Sequence, residues 1–213
     1  MYTGQTVYFF VRGIAGHPSD FLEWQWRAAD RTNQITPHKA RTVSYATQFW
    51  SVWINRKTRA KRLARVLRSY SVLDWRIVLV GHSEGTVLAL DALRLAGWPR
   101  VEQLHLICGA CDNNCERLGI NWALRSGAID KVHVYIAGKD MAMWWENLVL
   151  GRLFFGISDR SYPLGYHGPT NIADQYKDRV IIHDEAPWNL YGHSTCWEKT
   201  NFDRTLQTVL MAK

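Results

Sequence analysis

The stretch Ile77–Gly97, "IVLVGHSEGTVLALDALRLAG", decides how this chain folds. Its first four residues are apolar and mostly branched, as in a strand covered on both faces. Gly81-His82-Ser83-Glu84-Gly85 follows. Apolar residues at helical spacing then run to Gly97, with Pro99 just beyond as a stop signal. The stretch therefore reads as strand, sharp turn and helix. A serine at such a seam has two readings. It caps the helix, as serines commonly do, or it is a nucleophile carried on a strained turn. In the second case the glycines at −2 and +2 are needed because side chains there would collide.

The same alternation extends along the chain. Strand patterns fall at Thr6–Val11, Thr42–Tyr45, Arg76–Val80, Leu104–Cys108, Val132–Ala137 and Arg179–Ile182. Helical patterns fall at Asp20–Ala29, Arg56–Tyr70, Glu84–Leu95, Asn114–Ser126, Met141–Leu150 and Ser194–Leu210. This order predicts an α/β fold with a mostly parallel central sheet of about six strands, flanked by helices. With 213 residues, and no repeat or linker, residues 1–213 are expected to form a single domain. Phe155–Lys177 has no clear period. With the helix before it, this gives an irregular segment, about 141–177, expected to wall a pocket or form a small lid.

Hydrophobic residues make up 47% and charged residues 21%, which is a globular composition and not a disordered one. No apolar run approaches a membrane span, and "MYTGQTVYFFV" reads as a strand and not as a secretion signal, so the expected location is cytoplasmic. The net charge of +7 is concentrated in Arg56–Arg68. Ala60, Leu63, Ala64 and Leu67 keep helical spacing there, so the basic residues form the solvated face of an amphipathic helix. Weak association with anionic surfaces is compatible with this face. No specific nucleic-acid binding is expected, because no supporting motif is present. Cys108, Cys111 and Cys115 cluster while Cys196 stands apart, and their spacing lacks the second pair of a zinc motif. They read as buried thiols, and neither a metal nor a cofactor is expected.

The segment Gly81–Gly85, the early "VYFFVRGIAG" and the order Ser, Asp, His resemble the α/β-hydrolase superfamily, specifically its small serine esterases and lipases. The resemblance covers nearly the whole chain and is sharpest at the elbow. It implies a minimal α/β-hydrolase fold with no large cap domain, and a Ser-His-Asp triad acting through an acyl-enzyme. Ser83 is then the nucleophile. His193, after the last strand, matches the family's base position, with His183 as the rival. Asp140, after Val132–Ala137, matches the usual acid position, with Asp112 as the competitor. The oxyanion donors are implied to be the backbone N–H groups of Glu84 and Ile14, although Arg12 stands where relatives often have histidine. Met141, Trp144 and Trp145 follow the proposed acid. They read either as a helix packed on the sheet or as an apolar wall suited to a small-molecule ester. The same parts would serve a thioesterase or an acyltransferase, and a non-catalytic binding protein could keep the fold alone. The sequence leaves oligomeric state open.

Overall fold

A computed structural model describes residues 4–12, 24–43, 49–137, 162–184, 195–197 and 199–212. Among these, six strands form one sheet: β1 (Thr6–Val11), β2 (Lys39–Val43), β3 (Arg76–His82), β4 (Val101–Ile107), β5 (Ile129–Ile136) and β6 (Val180–Asp184). The spatial order is β2-β1-β3-β4-β5-β6, and each neighbouring pair is parallel. The helices are α1 (Trp24–Ile35), α2 (Phe49–Val72), α3 (Glu84–Ala96), α4 (Ile120–Arg125), the single turn α5 (Leu164–His167) and α6 (Lys199–Met211). Among the described residues there is no cap domain, and no helix is long and apolar enough to cross a membrane.

The strand period of two divides the core. On β3, Ile77 and Leu79 face α2, α3 and α4, alongside Leu63, Leu67, Leu88 and Leu93. Val78 and Val80 face the layer of α1 and α6, alongside Phe10, Trp24, Trp197 and Leu206. Burial on both faces is why β1 and β3 read clearly in sequence. β2 is an edge strand of alternating exposed and half-buried residues. It therefore carries charge instead of an apolar run: Lys39 lies over Trp75 at 4.7 Å and Arg41 over Tyr70 at 5.6 Å. Its bounds fall earlier than the hydrophobic cue at Thr42–Tyr45.

One further expectation changes. The helix expected over Asn114–Ser126 begins only at Ile120. Asn114 Oδ1 accepts hydrogen bonds from the N–H groups of Glu116 and Arg117, at 3.1 and 3.2 Å, and this local turn competes with helix. The described part of the irregular segment is bonded to the loops that follow β4 and β5. Leu164 N–H donates to the Cys111 carbonyl, Gly165 N–H to Gly109, and Ala137 N–H to Gly165, each at 2.9 Å. The helix expected over Met141–Leu150 lies outside the described residues.

A histidine ladder crosses β4, β5 and β6. His105 stacks on His133 at 4.5 Å, and His183 stacks on Tyr135 at 4.3 Å. Gln103 Nε2 donates to the Ala212 carbonyl, which leaves Gln103 Oε1 as an acceptor 3.0 Å from His105 Nε2. His105 is therefore the Nε2–H tautomer and accepts from the Tyr135 hydroxyl at Nδ1, 3.0 Å away. His133 Nδ1 meets His183 Nε2 at 3.1 Å, so one ring must donate and the other accept. Burial first, then the neighbouring histidines, holds His105 well below the ordinary histidine range. Burial, then His183 and Lys131, brings His133 down to about 4.

The unfolded chain, titrating near 6.5, binds these protons first. Stability is therefore complete above about pH 6.5 and falls as pH drops toward 4, by at most about 1.4 kcal/mol per pH unit for each ring kept neutral. The urea midpoint is expected to decrease from pH 7 to pH 5 in the wild type and to decrease less in His133→Phe. Equal slopes would show that the ladder does not govern acid sensitivity.

Candidate active site

The sheet reverses its winding between β1 and β3, and the crevice beyond the carboxyl ends of such strands is where open α/β sheets bind ligands. Ser83 stands at that point. Val11, the last residue of β1, pairs with Gly81, so β1 ends beside the turn. Ser83 has φ 56° and ψ −129°, a conformation that an L-residue holds only under constraint. Four bonds supply the constraint. Ser83 N–H donates to the Ile107 carbonyl at 3.0 Å. The Ser83 carbonyl accepts from Thr86 N–H at 3.0 Å, from Thr86 Oγ1 at 2.7 Å and from Ala110 N–H at 3.3 Å. Ser83 occupies the N-cap of α3, yet its hydroxyl makes no capping bond. The capping reading therefore fails, and the hydroxyl is not used by the helix.

The glycines have a steric role. A Cβ on Gly85 would lie 2.3 Å from the Val11 carbonyl oxygen, and one on Gly81 would lie 2.9 Å from the Gly85 oxygen. Helix α3 thus starts in backbone contact with the end of β1. A strained serine between close-packed glycines, directly after β3 of a 2-1-3-4-5-6 parallel sheet, marks the architecture.

The sheet and its elbow are consistent with the α/β-hydrolase fold that the sequence resembles.

Glu84 is buried in the first turn of α3, where a carboxylate favours the positive end of the helix, and its N–H belongs to that turn. Arg12 is half-buried at the end of β1, and desolvation lowers its pKa from the ordinary arginine value. The remaining expected site residues, namely Ile14, Asp140, Met141, Trp144, Trp145 and His193, lie outside the described residues.

The two rivals are placed. His183 lies within β6, three strands from β3, or roughly 14 Å across the sheet. Its Nε2 is engaged with His133, so it is a ladder residue and not a base within reach of Ser83. Asp112 follows β4 and is buried. Its Oδ1 accepts from Asn114 N–H at 2.8 Å, and its Oδ2 pairs with Arg117 at 3.6 Å. The carboxylate lines a cavity of about 230 Å³ with Arg56, Asp91 and Arg94, on the α2–α3 side. Its contacts are those of a loop staple.

Sequence reasoning missed Thr86 as the residue that holds the Ser83 carbonyl. The available signal was a hydroxyl three residues after the serine, within one helical turn of it. Two arginines of the basic helix are structural. Arg56 pairs with Asp91 at 3.1 Å, and Arg68 donates to the carbonyls of Leu95 and Ala96 at the end of α3. Lys57, Lys61, Arg62 and Arg65 are exposed.

No family model matches the sequence, and no curated protein matches it. Among solved structures, the chain is similar to a cutinase-like protein from Cryptococcus sp., at 13% identity and TM-score 0.47, over 96% of this chain and 91% of that one. It is similar to an esterase from Pyrobaculum calidifontis, at 13% identity and TM-score 0.48, over 97% and 75%. It is also similar to the NocB thioesterase domain, at 10% identity and TM-score 0.47, over 98% and 94%.

Proposed function

We propose that this chain is a serine hydrolase that cleaves carboxylic esters through an acyl-enzyme. The observation that carries the reading is Ser83 itself: a strained backbone at a strand–helix seam and a hydroxyl left unused by the helix cap. Strain at such a position persists only where surrounding contacts enforce it, and it is typical of functional turns.

In this reading the Ser83 hydroxyl attacks the ester carbonyl while His193 takes its proton. Asp140 accepts the histidine Nδ1–H and stabilises the imidazolium. The N–H groups of Glu84 and Ile14 bind the developing oxyanion. Collapse expels the alcohol, protonated by His193, and water then hydrolyses the acyl-Ser83 bond by the same steps. The close contact of Gly85 with Val11 and Arg12 supports the second donor, because the chain leaving β1 starts at the elbow. Met141, Trp144 and Trp145 supply an apolar wall for the acyl or alcohol part. The reaction needs no cofactor. The exposed lysines and arginines of α2 would add weak, salt-sensitive attraction to anionic surfaces, and the enzyme would work in the cytoplasm.

A fluorophosphonate tests this directly, since Ser83 Oγ would form the phosphonyl ester with loss of fluoride. The expected result is a single labelled serine and p-nitrophenyl ester hydrolysis in the wild type, both lost in folded Ser83→Ala. Folded wild-type protein with neither property, or labelling that survives Ser83→Ala, would overturn the reading.

A further inference from the structure

His82, Cys108 and Cys196 are distant in sequence but meet in space. Their ligand atoms, one ring nitrogen and two sulfurs, all lie within 4.8 Å of one another, and the three residues are at most 1% exposed. They come from three elements at the carboxyl edge of the sheet: the end of β3, the residue after β4, and the 3-10 turn Thr195–Trp197. Each is held in place. His82 directly precedes the strained Ser83. Cys108 is a non-glycine residue at φ 44°, with its N–H donating to the Tyr135 carbonyl at 3.2 Å. The Cys196 carbonyl accepts from Thr205 Oγ1 at 2.8 Å. Trp24 closes the group on one side, edge-on to His82 at 5.7 Å and stacked on Trp197 at 4.2 Å.

We propose that His82, Cys108 and Cys196 form a binding site for a thiophilic metal ion, Zn²⁺ by preference. Two thiolates and a neutral imidazole are a donor set that zinc takes readily, and soft sulfur ligands select it over magnesium or calcium. The charges also close. Zn²⁺ binding displaces one proton from each thiol into solvent, and two thiolates with one dication are neutral overall, as a buried site requires. The ion would join the elbow to the turn that carries Cys196. His193 precedes Cys196 by three residues, so its Cα can lie no more than about 11 Å from that of Cys196. On the triad reading given above, the ion therefore limits how far the base can stray from Ser83. The site escapes a motif search because its two cysteines lie on separate elements, while the visible Cys108-x-x-Cys111 pair is not the donor pair. Cys111 is a buried thiol whose pKa desolvation pushes up to about 12, and it sits against Thr86.

The test titrates the reduced, metal-stripped full chain with Co²⁺. The expected result is one equivalent bound, with a thiolate-to-cobalt charge-transfer band that Zn²⁺ displaces. The band is expected to be lost in Cys108→Ser and Cys196→Ser and kept in Cys111→Ser and Cys115→Ser. If the serine variants fail to fold, wild-type protein in mild denaturant serves instead. Zn²⁺ should then slow alkylation of Cys108 and Cys196, but not of Cys111 and Cys115, as mapped by peptide mass. A folded wild type without the band, a band that follows Cys111 or Cys115, or equal alkylation of all four thiols with and without Zn²⁺ would each overturn the site. Ser83→Ala should bind Co²⁺ as the wild type does, so loss of the hydrolase reading would leave this result standing.

Discussion

Gly85→Ala is expected to cost the fold more than any other single methyl at the elbow. The added carbon would sit 2.3 Å from the Val11 oxygen and 2.9 Å from the Arg12 carbonyl carbon. Both neighbours are backbone, and Val11 is fixed in the ladder to β3. A side chain could swing aside, but a central strand cannot. Overpacking in a core commonly costs 1–3 kcal/mol, and this contact belongs at the upper end, about 3 kcal/mol. For a chain of this size that is a fall in melting temperature of about 10 °C. Gly81→Ala should cost less, because its nearest contacts are at 2.9 Å. Thermal melts of both variants decide the matter. If Gly85→Ala melts with the wild type, α3 does not start against β1, and the basis for placing an oxyanion donor just after Arg12 is gone.

The elbow was legible in sequence because its causes are local. A four-residue apolar run, two glycines and a stop signal at Gly97-x-Pro99 all lie within one stretch, and each constrains the backbone directly. The buried strands were legible for a similar reason, since two covered faces leave little choice of side chain. β2 was misplaced because an edge strand is selected against being apolar, so Lys39 and Arg41 concealed it. α4 was over-extended because the expected helix ran back through a turn that Asn114 closes with its side chain.

The site was only partly legible. Ser83 and Glu84 could be placed from local pattern. The histidines could not be ranked that way, because what sets His183 apart from Ser83 is its position across the sheet. His183 is held in β6 beside His133. The grouping of His82, Cys108 and Cys196 depends wholly on tertiary contact, and linear spacing carries no trace of it.

Asp140→Asn is expected to lower kcat by about 10⁴-fold with little change in stability, the size seen when a triad acid can no longer fix the histidine tautomer. Asp112→Asn is the informative partner. The Asp112 Oδ1 bond to Asn114 N–H can be kept by an asparagine oxygen, so only the pairing with the half-exposed Arg117 is lost. That should cost about 1 kcal/mol and leave kcat within a few-fold of wild type. The split is therefore kinetic for one aspartate and structural for the other. Steady-state ester hydrolysis and urea denaturation on both variants separate the two. A dead but stable Asp112→Asn enzyme beside an active Asp140→Asn enzyme would move the acid to the loop after β4. The engagement of the Asp112 carboxylate with Asn114 and Arg117 is why Asp140 is the proposed acid.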